Sequence, residues 1–270
     1  TIKKDTVVEN MIPHCVSQFN PDMEYTDTDF SFFEASSIRK AFGKYIFIYS
    51  KRFSASEPGY EKDTNAYLAY AYSDTPLGGW KYGGVISCNM GECIKGEDGE
   101  IHRAYAHCNN HGSIINTGDQ WYIFYHRKTG TDEFARQGMI EPIDVAEGKD
   151  GTVYIGKVSY DESGEPVSAS EVEMTSQGAH KDGLDAYGII LSAYACYVTP
   201  ADNGERAYIQ PVYEGDISPA VNIKSGTVIG FKYIRFGDTS PEKIQISADG
   251  ISENTKIIVT DRDNSEVSVL

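Results

Sequence analysis

Glu34 is the residue whose setting in the sequence best suits proton-transfer chemistry. It follows Phe32 and Phe33 and precedes the small residues Ala35, Ser36 and Ser37. A carboxyl beside aromatic rings is poorly solvated as an anion, so its pKa is expected to rise toward that of a proton donor near neutral pH. The small residues leave room for a substrate. A solvated, idle Glu at a strand end is the competing reading, since most Glu side chains face water. His111, in NNHGSI, is either an imidazole satisfied by the backbone or one that faces a ligand. Arg136, in FARQG, could donate paired hydrogen bonds to hydroxyl groups or form a surface ion pair. Phe33, Tyr125 and His126 are candidate lining residues. Tyr67, Tyr70 and Tyr72 alternate, which reads as strand packing rather than a binding platform.

These side chains must be positioned by strands. No long stretch carries a 3.6-residue apolar period. Short alternating runs bounded by Gly, Asp and Asn dominate: 44–50, 65–73, 120–126, 151–160 and 227–236. The fold class is all-β. FFEASSIRKAFGKYIFIY (32–49) aligns without a gap on CNNHGSIINTGDQWYIFY (108–125), placing Ser37 on Ser113 and Tyr49 on Tyr125. Further strand-like runs follow each copy, at 65–73 and 80–87 and then at 135–145 and 151–160. Four strands per repeated unit predict propeller blades. From about residue 184 the strands shorten and read as a β-sandwich. The polar, Gly- and Ser-rich segment 161–183 is the expected linker. Two domains follow: 1–165, later blades of a propeller, and 184–270, a sandwich.

Composition narrows the partners. The net charge of −16 and the lack of a Lys/Arg run argue against nucleic acid. No apolar run is long enough to span a membrane. An aromatic content of 12%, led by 19 Tyr, suits strands and also the aromatic faces of sugar-binding clefts. Cys15, Cys88, Cys93, Cys108 and Cys196 are odd in number and lack metal spacing, and Cys88 and Cys93 could pair. The sequence does not specify a cellular location.

FFEASSIRK followed by GKYIFIYS resembles the general-acid blade of glycoside hydrolase family 43. KYGGVI, NNHGSI, WYIFYHR and FARQG are similar to that family's later blades, in the same order, over roughly residues 30 to 145. SGTVIGFKYIRFG (225–237) resembles the β-sandwich near family 6 carbohydrate-binding modules. The resemblance implies a partial five-bladed propeller and a glycosidase that inverts anomeric configuration, acting as an α-L-arabinofuranosidase or β-xylosidase on hemicellulose or arabinan fragments. Glu34 carries over as general acid, with Phe33 beside it. His111 carries over as the histidine near the central axis, facing a water or a metal ion, often calcium. Arg136 carries over as a subsite arginine.

An inverting site needs a second carboxylate, roughly 6.5–9.5 Å from the acid, to activate water. The family's base and its pKa-tuning Asp lie well before the acid. Asp22, Asp27 and Asp29 match neither motif. The expectation is therefore a chain shortened at both ends, whose partner is the missing N-terminal part of the propeller. The alternatives are a non-catalytic carbohydrate-binding propeller and a structural interaction module.

Overall fold

The computed structural model describes residues 30–53, 64–95, 101–132, 134–210, 218–239, 242–261, 263 and 266–269. Asp22, Asp27, Asp29 and Cys15 lie outside the described residues. Contacts divide the chain into two units, with the boundary between Arg235 and Phe236.

The first unit is built on two antiparallel sheets. Strands β1 (Phe32–Ala41), β2 (Lys44–Phe53), β3 (Thr64–Ser73) and β4 (Lys81–Cys88) form one four-stranded meander. Two short paired strands follow, β5 (Cys93–Lys95) and β6 (Ile101–Arg103). Strands β7 (Ser113–Asn116), β8 (Trp121–Lys128), β9 (Arg136–Glu147), β10 (Val153–Tyr160) and β11 (Pro166–Ser170) form the second meander. Among the described residues the helical content is one 3-10 turn, Ser192–Tyr194. The all-β reading holds, with one strand more in the second sheet than a four-stranded blade.

The repeat survives as register. Ser37 pairs with Ile48 and Ile38 with Phe47 in the first hairpin. Ser113 pairs with Phe124 and Ile114 with Ile123 in the second, at the same offset of 76. Both hairpins turn tightly, the first through Phe42 (φ 55) and Gly43 (φ 76). Gly adopts this left-handed backbone without steric cost.

Alternation buries one face of each sheet against the other. Ile46, Ile48, Leu68, Tyr70 and Ile86 meet Ile114, Ile123, Tyr125, Ile143 and Ile155 in a common core. Each such side chain contributes roughly 1.5–3 kcal/mol on burial. Tyr70 stitches the sheets together: its hydroxyl donates to Val153 O at 2.9 Å and accepts from Ile155 N at 3.1 Å. Tyr67, Tyr70 and Tyr72 are all buried, as strand packing requires. On the opposite face of the first sheet, Tyr49 packs with Phe32, Phe47 and Trp80.

The segment expected to be a linker is part of this unit. It contains β11, then returns to the first sheet, where Val172 N donates to Ile86 O at 2.8 Å. Met174, Thr175, Ser176 and Gln177 are buried. Polar side chains sit there because buried polar groups wait for them: Thr175 N donates to Glu141 Oε1 at 2.9 Å, and Thr175 Oγ1 also bonds the Glu141 carboxyl. Arg127, wholly buried, donates to Ala193 O at 2.9 Å and to Ala195 O at 2.6 Å. Ala195, Cys196, Val198 and Ala207 join the common core. The residues from 184 to Arg235 thus belong with the sheets, and their strands are two residues long.

The second unit pairs Ile258–Thr260 with Glu266–Val269. Ile244, Ile246, Ile251 and Ile258 are exposed there. Cys88, Cys108 and Cys196 carry free thiols, so the Cys88–Cys93 pairing that the spacing allows is not made. Cys88 is buried and Cys93 exposed.

Candidate active site

Glu34 lies where β1 loses its regular register against β2. The pairing shifts on both sides of it, between Phe32 and Glu34 and between Glu34 and Ser37. Ser31 (φ 35) and Ala35 (φ 56) take left-handed backbone. A residue with a Cβ in that region costs roughly 1–2 kcal/mol. Bulges bend a strand and re-aim its side chains, and they recur beside functional sites. Here strain on both sides turns one carboxyl out of the ladder. Its side chain is 37% exposed, enough to meet a solute.

The neighbouring rings do not frame the carboxyl. Phe33 is buried at 6%, and Phe32 stacks on Phe47 and Tyr49 with centroids 5.7 and 5.5 Å apart. Phe33 is therefore withdrawn from the surface it was expected to line. The polar partners of Glu34 come from the segment entering β7. Asn109 Nδ2 donates to Glu34 Oε1 at 3.3 Å, and His111 Nε2 lies 3.2 Å from the same oxygen.

Period-2 alternation explains this convergence. Asn109 and His111 turn toward Glu34, while the intervening Asn110 is buried and donates through Nδ2 to Ala66 O at 2.7 Å. Gly112 lets the chain close in: a Cβ there would collide with Phe124 O and the Leu68 side chain. The first and second repeats touch beside the site, where Ser37 Oγ donates to Ser113 Oγ at 2.8 Å and Arg39 Nε to Ile114 O at 3.0 Å.

His126 stands edge-on to His111, with ring centroids 5.3 Å apart. Burial, then the positive charge of Arg136 and then His111, lower its pKa from 6.5 to about 4. His126 is neutral at ordinary pH, and both its ring nitrogens are buried without a hydrogen bond among the described residues. Arg136 is exposed at the start of β9, opposite Lys128, with its charge felt at His126. Glu34, His111, His126 and Arg136 thus form one neighbourhood. Tyr125 is not part of it: its ring is buried and its hydroxyl donates to Glu141 Oε1 at 3.2 Å.

Chemically, the arrangement distinguishes the two carboxyl oxygens. Asn109 donates into Oε1, and a neutral His111 protonated on Nε2 does the same. Oε2 has neither contact. A proton carried by Glu34 on Oε2 can be handed outward, leaving charge on a carboxylate whose Oε1 accepts from Asn109 and, in that tautomer, from His111.

A calcium ion needs six to eight oxygens at about 2.3–2.6 Å. Around His111 the groups are one carboxylate, an amide presenting its nitrogen, and a second imidazole. Among the described residues no group of three or more His, Cys, Asp or Glu is placed to hold a metal. The described side chains around His111 supply too few oxygens for a calcium shell by themselves, and His111 turns its Nε2 to Glu34.

Sequence reasoning missed Asn109, and with it Asn65 and His107 behind it. The alternation His107, Asn109, His111 was the available signal. It also missed Glu141, which burial pushes up from 4.5 to about 7 against the hydrogen bonds of Thr175 and Tyr125.

No family model matches the chain. A xylosidase/arabinosidase of Thermoclostridium stercorarium is 33% identical over 230 residues, 80% of this chain and 42% of that protein. An arabinoxylan arabinofuranohydrolase of Paenibacillus polymyxa is 31% identical over 97 residues, 36% of this chain and 13% of that protein. The chain spans less than half the length of these curated relatives. Among solved structures, a family 43 β-xylosidase/α-arabinofuranosidase from a compost microbial metagenome, in complex with xylotriose and in a calcium-free form, is 26% identical. That match has a TM-score of 0.29 and covers 45% of this chain and 29% of its own. The chain is thus homologous to proteins named as a xylosidase/arabinosidase and an arabinoxylan arabinofuranohydrolase.

Proposed function

We propose that this chain is the later-blade portion of an inverting glycoside hydrolase acting on arabinose- or xylose-containing plant polysaccharides, with Glu34 as general acid. The observation that carries the reading is the carboxyl of Glu34, turned out by a strained double bulge and bonded on Oε1 by Asn109 and His111. The relatedness to a xylosidase/arabinosidase over 80% of the chain supports the substrate class.

Glu34 Oε2 gives its proton to the glycosidic oxygen as the bond to the anomeric carbon breaks. A carboxylate on the opposite face of the sugar takes a proton from water, whose oxygen bonds the anomeric carbon. That relative is longer than this chain, which leaves room for the base in the part the match does not reach. Arg136, exposed beside His126, is the group we assign to substrate hydroxyls.

The test is turnover of aryl arabinofuranosides and xylosides by the full-length protein, with Glu34→Gln as control. Gln keeps the shape but carries no acidic proton. Turnover should fall by about 10²–10⁴, most for substrates with poor leaving groups. A rate indifferent to the substitution removes Glu34 from this role. Glycan binding without turnover by the unmodified protein favours a carbohydrate-binding propeller instead.

A further inference from the structure

We infer that Asn65 and His107 are positioning residues for Glu34, acting through Asn109 by a one-way chain of side-chain hydrogen bonds. The inference rests on Glu34 being the general acid. Asn65 Nδ2 donates to Asn109 Oδ1 at 2.7 Å, and His107 Nε2 lies 2.9 Å from Asn65 Oδ1. The donor at each step is fixed by the next. Asn65 presents its amide nitrogen to Asn109, so its oxygen faces His107, and the imidazole proton must sit on Nε2. Asn109 presents its oxygen to Asn65, so its nitrogen faces Glu34 Oε1 at 3.3 Å. Turning one amide alone would set two acceptors against each other, and turning both requires the proton on Glu34 Oε1 and a His107 protonated on Nδ1. The chain therefore aims an N–H at Oε1 and leaves Oε2 as the oxygen that carries the proton.

The chain is anchored in the sheet. Asn65 is 7% exposed at the start of β3, and its backbone oxygen accepts from Ser50 Oγ at 3.1 Å and from Asn110 N at 3.2 Å. Asn89 Nδ2, wholly buried, reaches Cys108 O at 3.1 Å and Asn109 O at 3.2 Å. His107 is exposed, so its replacement disturbs no core.

Two readouts test it. In the full-length enzyme, Asn65→Ala should lower kcat about tenfold with KM within about twofold, and move the alkaline limb of the kcat profile to higher pH. His107→Ala should lower kcat by a smaller factor in the same direction, and His107→Gln, which keeps an N–H for Asn65 Oδ1, should restore it. A KM effect alone, or a His107→Gln variant no better than His107→Ala, overturns the chain. Independently of activity, NMR of the 270-residue chain should show neutral His107 protonated on Nε2, and a Glu34 carboxyl titration displaced by His107→Ala. An Nδ1-protonated His107 or an unmoved Glu34 titration overturns the inference even where Asn65→Ala fails to fold. If Glu34→Gln leaves turnover intact while the NMR results hold, the acid assignment fails and the chain stands.

Discussion

Glu141 is 1% exposed, and its folded pKa of about 7 stands above the 4.5 of an unfolded Glu. The folded protein therefore holds a proton that the unfolded chain releases between those values. The stability this contributes is fully present below pH 4.5 and is lost as pH rises through 7, on the order of 3 kcal/mol. His126 slopes the other way: its pKa falls from 6.5 to about 4, so its contribution is present above 6.5 and lost on acidification toward 4. Urea unfolding of wild type and Glu141→Gln from pH 4.5 to 8 separates the two, because His126 is common to both. The variant should gain on wild type as pH rises; a constant difference would show that Glu141 titrates normally. Glu34 loses its proposed role if Glu34→Gln leaves slow, poor-leaving-group substrates untouched, since those substrates depend most on protonation.

At the scale of elements, the approach of β7 to Glu34 depends on Gly112. A methyl group there meets Phe124 O and Leu68, both held by the core. Gly112→Ala should destabilise by about 1–3 kcal/mol, as overpacking does. It should also shift the His111 ring resonances, because the displaced segment carries His111. Unchanged His111 shifts in a folded variant would mean that β8 yields instead. The strands themselves were legible from alternation, and β2, β3, β8 and β10 lie close to where the aromatic runs put them. The bulge at Glu34 was not legible. It comes from mismatched pairing between β1 and β2, which no local pattern in FFEASS encodes. For the same reason Phe33 looked like a lining residue: adjacency in sequence hides that neighbours on a strand face opposite sides.

For the whole molecule, the polarity of 161–183 predicts a linker, but the segment packs inside the first unit. Thr175 is polar because it satisfies buried Glu141, and the Ala193 and Ala195 carbonyls accept from buried Arg127. Charged groups inside the fold invert the usual signal. The repeat and its motifs were readable because both hairpins keep one register. At this scale the proposed function makes a plain demand. The 270-residue chain alone should not turn over aryl glycosides that the full-length protein hydrolyses, because inversion needs a second carboxylate to activate water. Hydrolysis by the chain alone would place the base among these residues.

Ser37 and Ser113 occupy the same position in successive repeats, and they are in contact. Under a rotation, a point and its image lie close together only near the axis. The contact therefore places the pseudo-symmetry axis of the two hairpins near Ser37, three residues along β1 from Glu34. The same mapping sets Glu34 on Asn110, which is wholly buried and bonded to the Ala66 backbone. One address in a duplicated unit has thus been given two trades, an outward carboxyl in one copy and an inward fastener in the next.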